Sequence, residues 1–235
     1  MFEIFKNNND KRKREKIFKH RILKTNIFKE PENSEDSILF GCGCFWGAEK
    51  CFWKLPGVIT TSVGYSGGNK INPTYNEVCS GYTGHAEVVK VVWDKKAIDI
   101  SDLLKMFWEC HDPTQKNRQG NDCGTQYRSA IYFKNKNQQE IILNSQKAYQ
   151  KALYKNNFGT IETEIREINN YFYAEDYHQQ YLASIGSRQY CSASPTKINL
   201  KDFKNCNYKL KEEIWENFNW EVDKCVLIST NDPLS

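Results

Sequence analysis

The 235-residue chain contains no run of 18 apolar residues, and so nothing in it reads as a membrane span. Its N-terminus lacks the apolar core of a secretory signal. It also lacks the Ser-rich, acid-poor character of a mitochondrial presequence: no serine precedes Ser34, and Glu3, Asp10 and Glu15 interrupt the basic residues. These absences make the cytoplasm the expected compartment and a mitochondrial one less so. No Cys-x₂-Cys pair occurs, the closest spacing being Cys42-Gly43-Cys44, which counts against a zinc-binding module. Nine cysteines is an odd number, spread over the chain with no export signal, so reduced thiols with a few reactive members are expected in place of a disulfide framework.

The formal net charge of +4 is unevenly placed. Residues 1–36 hold 10 Lys and Arg against 7 Asp and Glu, which leaves the remainder close to neutral. A nucleic-acid patch would have to lie around Lys11-Arg12-Lys13-Arg14-Glu15-Lys16. A solvated, partly disordered arm explains the same run, and neither a nucleic-acid nor a membrane partner is expected. The chain divides into this charged N-terminal extension (1–36), a main domain (37–205) and a helical tail (206–235) packed on it.

The most informative stretch is Ser37 to Pro56, SILFGCGCFWGAEKCFWKLP. Ile38, Leu39 and Phe40 read as a short buried strand that Gly41 and Gly43 break. Phe45, Ala48, Phe52 and Leu55 then follow helical spacing until Pro56-Gly57. Cys44 therefore stands where a strand passes into a helix N-terminus. Unpaired N–H groups and the helix dipole favour an anion there, which predicts a thiol that ionises more easily than a free cysteine. Two roles fit the position: a nucleophile, or one more small apolar core residue.

From Leu55 to Gly84 turn formers dominate, so this stretch reads as a wrapping segment presenting Tyr65, Tyr75 and Tyr82. His85 to Asp94 alternates as a strand with Glu87 on its more apolar face. A carboxyl there is either raised in pKa and protonated near neutrality, or paired with a Lys or Arg, or exposed at the strand start. Ser101 caps a helix through Trp108, and the polar loop Thr114 to Gly124 suits a site wall. Tyr127 to Phe133 and Thr160 to Ile168 read as strands, and Asn137 with Glu140 resembles the capping box of a helix running to Tyr154. Tyr173 to Ala183 and Leu210 to Val222 read as helices. This alternation of strands and helices predicts an α+β sandwich.

Gly43-Cys44-Phe45-Trp46-Gly47 resembles the GCFWG signature of the A-type peptide methionine sulfoxide reductases. Further blocks are similar in the same order: Gly64-Tyr65-Ser66-Gly67-Gly68, Tyr75-Asn76-Glu77-Val78-Cys79, Gly84-His85-Ala86-Glu87, Gln119-Gly120-Asn121-Asp122, Gln126-Tyr127-Arg128-Ser129 and Ala174 to Tyr181. Together they span residues 37–191. The resemblance implies a ferredoxin-like α/β sandwich core with long irregular wrapping segments, in a monomer that uses no cofactor or metal. It implies reduction of methionine S-sulfoxide, free or in oxidised proteins, as a repair reaction under oxidative stress.

By the same resemblance Cys44 is the nucleophile, Glu87 the protonated acid, and Tyr75 and Tyr127 hydrogen-bond donors to the sulfoxide oxygen. Phe45 and Trp46 form the S-methyl pocket, and Asp122 binds substrate backbone. Cys191 resolves the sulfenic acid as a disulfide, which thioredoxin reduces. A second recycling cysteine is open to doubt, because no Gly follows Gly186 and the next thiol, Cys206, lies in a Lys- and Asn-rich segment. His85 and His178 read as structural histidines. Cys42 either diverts the sulfenic acid or sits in the strand end; Cys51 reads as core, and Cys79, Cys110, Cys123 and Cys225 show no pairing logic. A thiol peroxidase would explain Cys44 with Cys191, but not the apolar pocket beside Tyr75, Glu87 and Tyr127.

Overall fold

The computed structural model describes residues 19–200, 212–216, 218 and 229–234. β1 (Glu35–Cys42) leads through α1 (Phe45–Trp53) to β2 (Val58–Ser66), and the short α2 (Tyr75–Cys79) precedes β3 (Ala86–Asp94). α3 (Ile100–Cys110) is followed by two-residue strands β4 (Arg118–Gln119) and β5 (Asp122–Cys123), then by β6 (Ser129–Phe133) and α4 (Lys136–Lys155). β7 (Glu164–Glu167), β8 (Phe172–Tyr173) and the one-turn α5 (Glu212–Trp215) complete the described elements.

The main sheet runs β7-β6-β1-β3-β2-β8, and only the β6–β7 pair is parallel. Its centre, β6-β1-β3-β2, is the ferredoxin-like order, in which the crossovers through α1 and α3 each skip one strand. Alternation decides the layers. Ile38, Phe40 and Cys42 of β1 face the main core with α1, α3 and α4, while Leu39 joins the smaller cluster of Ala86, Val88, Ala130 and Tyr132 on the other face. Phe40 anchors the larger core, its ring 4.7 Å from Phe52 on α1 and 5.2 Å from Phe107 on α3.

Several sequence expectations change. Gly41 does not break β1: the strand reaches Cys42, and Gly41 is needed because a Cβ there would come within 3.1 Å of the Arg128 carbonyl and 3.3 Å of that of Glu87. The expected wrapping segment contains a buried central strand, β2, and Gly64 within it admits the Phe172 carbonyl of β8. Asp99, not Ser101, caps α3, accepting the Ser101 N–H at 2.9 Å, and Asn135, not Asn137, caps α4. Tyr127 closes a 3-10 turn, with the strand starting at Ser129. The helix expected over 173–183 is instead two 3-10 turns around a left-handed Gln180, φ 47°. The side chains and backbone of Gln179 and Gln180 are occupied by other partners: Gln179 pairs with Val63 of β2, and Gln180 with Glu49 of α1.

Of the N-terminal extension, residues 19–34 pack on the domain. Lys19 bridges Asn26, and fully buried His20 reaches Thr61 at 2.9 Å. Of the expected C-terminal helix, one turn is described, with Ile214 and Phe218 buried and Trp215 donating to Asp102 at 2.7 Å. The basic run at 11–16, Val222, Cys206 and Cys225 lie outside the described residues.

Candidate active site

Cys44 is the residue immediately before α1, with φ −56° and ψ 123°. The chain reaches it through Gly43 at φ +89°, a left-handed turn that turns the strand into the helix and admits Gln119 against the missing side chain. The Trp46 N–H of the first helical turn faces the Cys44 sulfur and favours the thiolate. It is outweighed. Burial, and after it the charge of Glu87, hold the thiol well above the usual cysteine range. The expectation of an easily ionised Cys44 is thus corrected: the helix N-terminus contributes in the predicted sense, but the site is too dry for it to win.

Glu87, on β3, is buried, and its Oε2 accepts the Phe45 N–H at 3.0 Å. Burial is the dominant influence and raises its pKa to about 8; the Phe45 N–H opposes this, and the charge of Asp122 adds to it. Among the described residues' ion pairs no Lys or Arg pairs with it, and it is not exposed, so the paired and exposed readings open from the strand alone fall away. Both shifts run toward the protonated forms, the Cys44 thiol and the Glu87 carboxyl.

A cavity of about 360 Å³ opens over these two groups. Phe45 and Trp46 of α1 line it, together with Tyr75 at the start of α2, Asp122 of β5 and Tyr127 at the end of the 3-10 turn. Burial pushes both phenols above their ordinary values, so each stays a neutral donor. Glu175 fixes Tyr75 by accepting its backbone N–H at 2.9 Å and the Tyr65 hydroxyl at 2.8 Å. The Trp46 indole donates to His178 Nδ1 at 3.1 Å, and Tyr181 stacks on it with centroids 3.9 Å apart. His178 is neutral, its pKa lowered by burial to about 4. His85 is structural, its Nδ1 accepting from Gly68 N and its Nε2 donating to the Lys70 carbonyl.

Three lining residues, Tyr181, Arg188 and Tyr190, had no assigned role in the sequence reading. Tyr190 donates to Asp122 Oδ1 at 2.7 Å, while Asp122 Oδ2 is buried with no partner of its own. The signal available was proximity: Tyr190 adjoins Cys191, and Tyr181 ends the last similar block. Cys191 does not line the cavity. It is half-buried against the core, near enough for its charge to act on both Cys44 and Cys110. A more open groove on α4, lined by Gln150, Lys151, Tyr154 and Thr160, holds neither a thiol nor a carboxyl.

The family model for peptide methionine sulfoxide reductase matches residues 36–211. The chain belongs to that family. It is 55% identical over 179 residues to a peptide methionine sulfoxide reductase of Vibrio vulnificus, covering 76% of this chain and 85% of the relative. It is 54% identical over 169 residues to the mitochondrial peptide methionine sulfoxide reductase of Rattus norvegicus, covering 72% of each. The methionine sulfoxide reductase A structure of Corynebacterium diphtheriae superposes with TM-score 0.66 at 43% identity, over 73% of this chain and 83% of that one. The protein is a peptide methionine sulfoxide reductase enzyme with the mixed α/β fold of that family. The relatives also overturn the cytoplasmic expectation. Mitochondrial and bacterial reductases match about equally well, and the residues on which the compartment reading rested precede the matched region.

Proposed function

We propose that this reductase acts on the S epimer of methionine sulfoxide, free and in proteins, through Cys44, Glu87 and Cys191. The observation that carries the reading is a buried carboxyl, its pKa raised by burial to about 8, on the cavity that also holds the half-buried Cys44 thiol. Cys44 sulfur attacks the sulfoxide sulfur. Glu87, whose Oε2 is held by Phe45 N–H, gives the proton on its other oxygen to the sulfoxide oxygen as the Cys44 proton passes to Glu87. No net charge builds up, which suits a site that penalises both anions. The Tyr75 and Tyr127 hydroxyls donate to the same oxygen as its bond to sulfur weakens. The hydroxyl transfers to Cys44 as the thioether leaves, giving a sulfenic acid and methionine.

Phe45 and Trp46 receive the S-methyl group, with Tyr181 stiffening the indole by stacking. The unpaired Asp122 Oδ2 accepts a substrate backbone N–H. Cys191 then displaces water from the sulfenic acid, and thioredoxin reduces the resulting disulfide. The chain works as a monomer, and its cellular role is repair of oxidised proteins. The test is the reduced protein mixed with each epimer of a methionine sulfoxide peptide without reductant. Methionine is expected from the S epimer alone, and Cys191→Ser is expected to give one methionine per chain but no thioredoxin-driven cycling. Methionine from the R epimer, or none from either, overturns the reading.

A further inference from the structure

Behind the nucleophile, on the core side of the sheet, lies a cluster of thiols that the reaction above does not use. Cys42 ends β1 two residues before Cys44, and Cys110 ends α3. Both are buried in the main core, 4% and 3% exposed. The Cys42 and Cys110 sulfurs and a ring nitrogen of His111 all lie within 4.8 Å of one another, and the Cys51 thiol hydrogen-bonds with that of Cys110.

Two chemistries suit such a cluster, a metal ion or a redox pair. The histidine argues against the metal. His111 Nδ1 donates to the Phe107 carbonyl at 2.7 Å and Nε2 accepts from the Ser129 hydroxyl at 2.8 Å, so neither nitrogen has a lone pair to give. The Cys110 thiol is also held well above the usual cysteine range, by its hydrogen bond with Cys42 and then by burial, whereas metal binding needs thiolates.

Position favours the redox pair. Cys191 packs against the core cluster that contains Cys42 and Cys110, and its charge reaches both Cys44 and Cys110, so the order from cavity to core is Cys44, Cys191, Cys110, Cys42. We propose that Cys110 and Cys42 are an internal dithiol that takes over the disulfide from Cys44 and Cys191, so that the chain reduces two sulfoxides before it needs an external reductant. The proposal rests on the reductase reading above.

The steps balance. The Cys44 sulfenic acid and the Cys191 thiol give a disulfide and water. Cys110 attacks the Cys191 sulfur, and Cys44 leaves with the proton that Cys110 gives up. Cys42 attacks the Cys110 sulfur, and Cys191 leaves as a thiol in turn. Cys44 and Cys191 then reduce a second sulfoxide, so four thiols become two disulfides, and two sulfoxides become two thioethers and two waters. Transfer into the core is slower than the first turnover, because the Cys110 thiol, held well above the usual cysteine range by its hydrogen bond with Cys42 and then by burial, must lose its proton to attack.

The experiment is exhaustive reaction of the reduced full chain with excess S-sulfoxide peptide, without reductant, followed by thiol counting and disulfide mapping. Two methionines per chain, released in a fast and a slow phase, four thiols lost and a Cys42–Cys110 linkage are expected. Cys110→Ala is expected to halve the yield to one methionine and two thiols. One methionine from the unmutated chain, or a second disulfide mapped to Cys206, overturns the internal pair while leaving the reductase reading intact. No methionine at all overturns both. The linkage map needs no variant, so a Cys110→Ala chain that fails to fold does not remove the test.

Discussion

Two fully enclosed carboxyls meet at α1, one carried by the helix and one at its N-terminus, and they differ in what surrounds their oxygens. Glu49, on the helix, has both oxygens taken: Oε1 accepts from the Thr61 hydroxyl at 2.9 Å and from Gln180 Nε2 at 2.7 Å, and Oε2 from Gln180 N at 2.8 Å. Glu87, facing the helix N-terminus, accepts one described hydrogen bond, from Phe45 N. Burial raises both, Glu49 to about 7 and Glu87 to about 8; hydrogen bonds from Gln180 and Thr61 oppose the rise at Glu49, and the Phe45 N–H opposes it at Glu87. The comparison separates a carboxyl whose oxygens are both held by the architecture from the one to which the proposed mechanism gives the proton transfer. Glu49 ties α1 to the left-handed Gln180, next to the Tyr181 that stacks on Trp46; Glu87 leaves an oxygen for the cavity.

The largest effect expected from breaking this contrast is at Glu87. Glu87→Gln keeps size and the Phe45 contact but has no acidic proton, so the single-turnover rate should fall by about 10²–10⁴-fold with the thermal midpoint nearly unchanged. A rate within a few-fold of the parent would remove Glu87 from the acid role. Glu49→Gln reverses the order of effects. Its amide points an N–H group at donors from Thr61 or Gln180, so urea unfolding should show a loss of about 1–3 kcal/mol, with the rate reduced less than Glu87→Gln reduces it. Equal rate losses in the two variants would erase the distinction.

The smallest effect expected is in the pH dependence of stability. A carboxyl whose folded pKa lies above its unfolded value stabilises the fold fully below about 4.5 and loses that contribution as pH rises through the folded value. Unfolding stability should therefore decline through pH 7, where Glu49 ionises, and the decline should be shallower in Glu49→Gln.

What could be seen in the sequence follows from how local each cause is. The strand–cysteine–helix corner was legible because the glycines, Cys44 and the helical spacing of Phe45, Ala48 and Phe52 lie within a few residues of one another. Glu87 was placed on the right face of β3 by alternation, but that no described Lys or Arg pairs with it was not readable from that strand. β2 was hidden by Gly64, whose reason is the approach of β8 from more than a hundred residues away. The region 173–183 carries helical spacing, yet Glu49 and Val63 capture Gln180 and Gln179, and such distant contacts leave no local mark. The Cys44 thiol shows the same limit: the helix N-terminus was legible, and the burial that overrides it was not.

The most direct test of the central claim is the pH dependence of the single-turnover rate between pH 6 and 10, in the unmutated chain and in Glu87→Gln. If the proton on Glu87 drives the step, the rate of the unmutated chain falls as pH rises through about 8, and Glu87→Gln lacks that fall. A rate that instead climbs steadily through pH 8 would mean that formation of the Cys44 thiolate limits the reaction, and would contradict the account.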